Sequence, residues 1–136
     1  MTCAAKRFAF AAERLVGTPF RLHGRDPATG VDCIGLVACA LEAAGLRADP
    51  PQGYMLRNTK LGVHVDKAGK SGFTPVAGPV IRGDLLLVRP GPAQHHLIVA
   101  LGKARVVHAH AGLRRVVVQA ADTGWPVLKH WRLANS

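Results

Sequence analysis

Acidic residues and aromatics are both scarce in this chain, and each shortage narrows what the protein does. Eight Asp and Glu stand against 18 Lys and Arg, for a formal charge of +10. A surface of that sign is drawn to polyanions such as nucleic acid, anionic lipid or anionic cell-wall polymer, or is simply a well-solvated arginine-rich exterior. Aromatics are only 5% of residues, and the basic residues are scattered from Lys6 to Arg132. Without a stacking platform or a concentrated basic stripe, specific nucleic-acid recognition is not expected. Cysteine is rare as well: Cys3, Cys33 and Cys39 are too few for a disulfide framework and form no CxxC pair for zinc, which fits a reducing compartment. No apolar run approaches the length of a membrane span, and Lys6, Arg7, Glu13 and Arg14 interrupt the N-terminal segment where a signal peptide would need an unbroken apolar stretch. Synthesis in the cytoplasm, with neither export by the general pathway nor a membrane span, is the expectation.

What is present is a 49% apolar chain of 136 residues, enough for one compact domain spanning residues 1–136. Ala5, Phe8, Ala9, Ala12 and Leu15 recur at helical spacing, predicting an amphipathic helix over 4–16 that stops at Gly17 and Pro19. A punctuated loop, GTPFRLHGRDPATG, follows. VDCIGLVACALEAAG then predicts a buried helix with Asp32 as N-cap and Gly45 just past its end. Residues 46–82, rich in Pro and Gly, read as a long excursion with one short helix around Gly53 to Gly62. From Gly83 the texture becomes β: DLLLVRP, HLIVALG, ARVVHAHAG and RRVVVQAA, with VLKHWRL as a candidate fifth strand. Helices first and strands later predict an α+β fold with a four- to five-stranded antiparallel sheet.

Cys33 stands where the second helix begins. The unpaired N–H groups of a helix N-terminus stabilise a thiolate, so the position suits a nucleophile; it equally suits a small buried hydrophobe, and position alone leaves both readings open. Gly35 lowers helix propensity by about 1 kcal/mol relative to Ala, which makes sense where something, such as a substrate, must approach the helix closely. Cys39 belongs to the core and Cys3 to the terminus. A nucleophilic cysteine needs a base brought in by the fold. Four of the seven histidines fall within residues 95–112. In strand alternation His96 shares a face with Ile98, and His108 with His110. Closing these strands as a hairpin through Leu101 to Arg105 sets His96 opposite His108 or His110. A thiol, a base and an orienting imidazole then make a triad. Zinc ligation by His95, His96, His108 and His110 is the rival reading, weakened by the lack of Asp or Glu among them. His95 is expected on the opposite side from His96, and His23, His64 and His130 read as surface residues without a role.

GTPF and its loop, GVDCIGLV, GDLLLV, HLIVALG and VVHAHAG, in that order, resemble the NlpC-type bacterial cell-wall cysteine peptidases, a papain-like family, over most of the chain from Leu15 to Trp131. The resemblance implies a papain-like fold and hydrolysis of peptidoglycan stem peptides between γ-D-glutamate and a diamino acid, with no cofactor or metal. Its catalytic residues fall on Cys33 as nucleophile, His96 as base and His108 as third polar residue, with the Cys33 N–H as oxyanion donor and Asp32 as a cap. The HAHAG segment is most similar to the phage-tail and gene-transfer-agent branch, implying tail proteins as partners and a particle as carrier. Phe20 stands where the family commonly has Tyr, Ile34 where it commonly has Ser, and LIVAL replaces a more usual VGIY. Phe20 and Asp32 are candidate substrate-side residues, and Arg21, Arg25 and Arg57 candidate partners for substrate carboxylates.

Overall fold

A computed structural model describes residues 3–47, 71–92 and 94–134. Among them are two helices and eight strands: α1 (Ala4–Glu13), β1 (Arg25–Asp26), β2 (Gly30–Val31), α2 (Cys33–Ala43), β3 (Phe73–Pro75), β4 (Leu85–Val88), β5 (His96–Ala100), β6 (Arg105–His110), β7 (Arg115–Ala120) and β8 (Val127–Leu133).

The helix ends follow from local chemistry. Asp32 caps α2, accepting the Gly35 N–H at 2.8 Å. At the other end Leu46 N–H reaches the Leu41 carbonyl and Gly45 N–H the Glu42 carbonyl, with Gly45 at φ +76°, a left-handed geometry that glycine adopts without strain. α1 stops three residues short of the predicted end because Leu15 and Val16 turn back on Ala12 and Glu13 by shorter-range bonds on the way into Gly17.

Six strands form one antiparallel sheet in the order β3-β8-β4-β5-β6-β7, one more than the upper prediction. The extra strand, β3, lies inside the segment read as an excursion, paired with β8 far along the chain. Three residues ending in proline carry no visible alternation. VLKHWRL is a full strand, joined to β4 with a bulge at Leu87/Val88. The short helix read around Gly53 to Gly62 falls, with Arg57 and His64, outside the described residues.

Leu85, Leu87, Leu97, Val99, Val107 and Ala109 face the two helices and form the main core with Phe8, Leu36, Leu41 and Trp131. The opposite sheet face carries a smaller cluster of Leu86, Val88, Ile98 and Val106 beside Trp125. Both faces of β4 and β5 are therefore covered, which is why their sequences run apolar without alternating. Phe8 meets Phe73 edge to face at 5.4 Å, tying α1 to β3. Asp84, fully buried at the head of β4, accepts from Arg132 Nε at 2.7 Å and Nη2 at 2.9 Å, and lies 2.6 Å from His130 Nε2. This ion-pair cluster fastens β4 to β8, so His130 is a structural partner rather than the idle surface residue the sequence suggested.

The loop between α1 and α2 is stitched from both sides. On the β7 side Gly17 N–H donates to the Val116 carbonyl, Val116 N–H to the Thr18 carbonyl, and Phe20 N–H reaches the Arg114 carbonyl at 2.9 Å. On the β2 side Val31 N–H reaches the Pro19 carbonyl, and Arg21 N–H the Val31 carbonyl. Phe20 is thereby fixed between the sheet and the entrance to α2.

Candidate active site

Cys33 is the first residue of α2, and its side chain is buried at the floor of a cleft of roughly 260 Å³. Phe20, His95, His96, His108, His110 and Trp125 also line that cleft. β5 and β6 pair with Val99 opposite Val107, within the predicted register, and the ring of His96 meets that of His108 rather than His110. His96 Nε2 lies 2.8 Å from His108 Nδ1, which leaves Nδ1 of His96 as the ring nitrogen not engaged by His108. The far nitrogen of His108, Nε2, lies 2.6 Å from Oε1 of Gln119 on β7. His110 stands further out, its ring 5.5 Å from that of His108 and its Nδ1 accepting the Leu113 N–H. Trp125 sets its ring nearly perpendicular to both inner imidazoles, at 6.0 Å from His96 and 5.7 Å from His108.

Burial governs the protonation states. It pushes the Cys33 thiol up to about 12, with the Asp32 carboxylate adding to the rise, against the opposing pull of the Leu97, Ile34 and Cys33 backbone N–H groups. The thiolate-stabilising influence of the helix start is present, as expected from the sequence, but desolvation outweighs it. His96 is pushed down to about 3 by burial first, then by the charge it would share with His108 and His110. His108 is lowered too, chiefly by burial. These shifts all favour an uncharged thiol beside uncharged His96 and His108 rings.

Asp32 is not among the described residues lining the cleft. Its carboxylate is fully buried and accepts the Gly35 N–H, the His23 N–H at 2.8 Å and Arg25 Nη1 at 3.3 Å. Arg25 is thus engaged behind the helix, and neither it nor exposed Arg21 is among the described residues lining the cleft. What approaches Gly35 is not substrate but the Gly24 carbonyl, which a Cβ at that position would strike. His95, expected on the far side from His96, lines the same cleft because it precedes β5 and strand alternation does not govern it. Among the described residues no group of three or more His, Cys, Asp or Glu is arranged to hold a metal ion, and no helix is long and apolar enough to cross a membrane.

The NlpC/P60 family pattern matches residues 17–132, from the loop before α2 to the penultimate residue of β8. The chain belongs to the NlpC/P60 family. Its fold is the papain-like NlpC/P60 fold, two helices against a six-stranded antiparallel sheet, shared with solved structures at low identity. NlpC2 from Trichomonas vaginalis is 17% identical with a TM-score of 0.73, the match covering 100% of this chain and 49% of that one. The NlpC/p60 domain of the peptidoglycan hydrolase SagA is 21% identical, with a TM-score of 0.62, covering 96% and 97%. The peptidoglycan hydrolase RipB from Mycobacterium tuberculosis is 23% identical, with a TM-score of 0.61, covering 95% and 64%. The chain spans about half the length of NlpC2. No curated protein matches it in sequence.

Two residues of this NlpC/P60 domain escaped the sequence reading. Gln119 pairs with Val106 across β6 and β7, while His108 pairs with Val117, so Gln119 shares the His108 face. Its signal was there: a polar residue closing the apolar run Val116–Val118, two positions from the partner of a histidine. Trp125 sits in the β7–β8 connection, where no periodicity operates, and only the assembled fold brings it onto the imidazoles.

Proposed function

We propose that this chain is a cysteine peptidase of the bacterial cell wall, cutting peptidoglycan stem peptides between γ-D-glutamate and a diamino acid. The observation that carries the reading is one cleft holding the Cys33 thiol together with the hydrogen-bonded pair His96 and His108. Family membership supports it, as do structural neighbours that are themselves named peptidoglycan hydrolases. A charge of +10 suits an anionic wall.

As the thiol closes on the scissile carbonyl carbon, His96 takes the Sγ proton on Nδ1 and the new C–S bond forms. The carbonyl electron pair moves to oxygen, for which the Cys33 N–H at the head of α2 is the donor. Collapse of the adduct breaks the C–N bond, and His96 returns its proton to the leaving amine. Water, giving its proton to the same ring, then adds to the thioester carbonyl; the C–S bond breaks, and His96 returns the proton to the released Sγ. His108 holds the ring in place throughout. The similarity of HAHAG to the phage-tail and gene-transfer-agent branch is the ground for a further element of the proposal: the domain is made in the cytoplasm and carried on a tail-like particle to the wall of a target cell.

A second reading, a papain-like module that binds without turnover, draws on Phe20, which lines the cleft but has no hydroxyl to donate. Digestion of diaminopimelate-type peptidoglycan and its isolated stem peptides, analysed by mass spectrometry with Cys33→Ala alongside, decides between them. New fragments that vanish in Cys33→Ala are expected. No fragments from folded, reduced protein would overturn the peptidase reading in favour of the binding module.

A further inference from the structure

His108 bonds in two directions, and the two bonds are not independent. A neutral imidazole carries one proton, so when one ring nitrogen donates the other accepts, whereas an amide oxygen only accepts. With Oε1 of Gln119 at 2.6 Å, the His108 proton belongs on Nε2. Its Nδ1 is then a lone pair, and His96 reaches it at 2.8 Å only by donating from its own Nε2. Nδ1 of His96 is left as the bare nitrogen. We propose that Gln119 is a positioning residue for the thiol chemistry: acting through His108, its amide oxygen fixes the His96 tautomer whose Nδ1 can accept the Cys33 proton. The inference rests on the reading of Cys33 and His96 as nucleophile and base.

The reverse amide orientation would have the opposite effect. An N–H aimed at His108 Nε2 would move the His108 proton to Nδ1, turn the inner bond around and leave His96 with its proton on the nitrogen needed by the thiol. The neutrality of Gln119 also matters. A carboxylate at this place would accept the same bond but favour protonated His108, whose Nδ1–H would confront the Nε2–H of His96. Burial holds His108 below the ordinary imidazole range, against the smaller upward pull of the Gln119 bond. Gln119 is half-buried, so its replacement leaves no large void.

Two-bond ¹H–¹⁵N spectra of histidine-labelled protein at pH 8 test this without substrate. In the unmodified protein both His96 and His108 should be protonated on Nε2. In Gln119→Leu, His108 should become a mixture of tautomers, and kcat on stem peptides should fall about tenfold or more with KM little changed. Gln119→Glu should restore the Nε2 form while moving the acid limb of kcat to higher pH. Protonation of His108 on Nδ1 in the unmodified protein, tautomers unchanged in Gln119→Leu, or changed tautomers with kcat within twofold would each overturn the assignment. A protein that shows the Gln119-dependent tautomers but cuts no stem peptide would support the assignment and overturn the substrate reading alone.

Discussion

Acidification should destabilise this fold through its two depressed imidazoles, and most through His96. His96 titrates near 6.5 in the unfolded chain and is held down to about 3 in the folded one, chiefly by burial. Below 6.5 the unfolded chain therefore binds a proton that the folded chain refuses. The stability His96 contributes is whole above 6.5 and is lost as the pH falls from there toward 3. Each unit of that window is worth about 1.4 kcal/mol, so between pH 8 and pH 4.5 the ring accounts for about 3 kcal/mol, a large share of a small domain's total. His96→Gln keeps a side-chain N–H that can donate to His108 Nδ1 but does not titrate. Asp84, held below the ordinary carboxylate range through Arg132, Ile81 and His130 against the cost of its burial, is present in both proteins, and its own loss comes at lower pH. Urea unfolding of both proteins at pH 8 and pH 4.5 should show the unmodified chain losing about 3 kcal/mol more than the variant. Equal losses would refute the argument that the fold keeps His96 uncharged.

Three other outcomes follow from the same structure. Because burial raises Cys33, its alkylation by iodoacetamide should climb roughly tenfold per pH unit between pH 7 and 9; labelling that is flat below pH 7 would indicate a preformed thiolate–imidazolium pair instead. Asp84→Asn removes the charge from a buried carboxylate with four donors around it, and should cost about 3 kcal/mol, lowering Tm by roughly 10 °C in calorimetry; a fall under about 2 °C would contradict the account of that cluster. Gly35→Ala gains helix propensity of about 1 kcal/mol but drives a Cβ into the Gly24 carbonyl, so net destabilisation is expected, and a higher Tm would show that the loop yields.

The parts of the fold legible in the sequence are those governed by short-range rules. Asp32 as cap, Gly45 at φ +76° and the apolar run between them define α2, and the summed positions of β5 and β6 set His96 opposite His108 or His110, a choice the folded register makes for His108. The rest depended on partners distant in the chain. β3 exists because β8 offers it an edge, His130 has its role because Asp84 is buried opposite, and Arg25 is claimed by Asp32 rather than by the cleft. Burial depth was the other hidden quantity. A helix start suggests a lowered thiol pKa, and only the packing around Cys33 reverses the sign.

The imidazole of His96, the imidazole of His108 and the amide of Gln119 come from three neighbouring strands, β5, β6 and β7. They come within bonding reach of one another through the register of two successive hairpins. A slip of one residue in either hairpin turns an entire strand over and carries one member of the chain of bonds to the far side of the sheet. On the proposed reading of the site, cleavage would therefore report on assembly: a copy that misregisters either hairpin breaks the chain of bonds from Gln119 through His108 to His96 and loses activity.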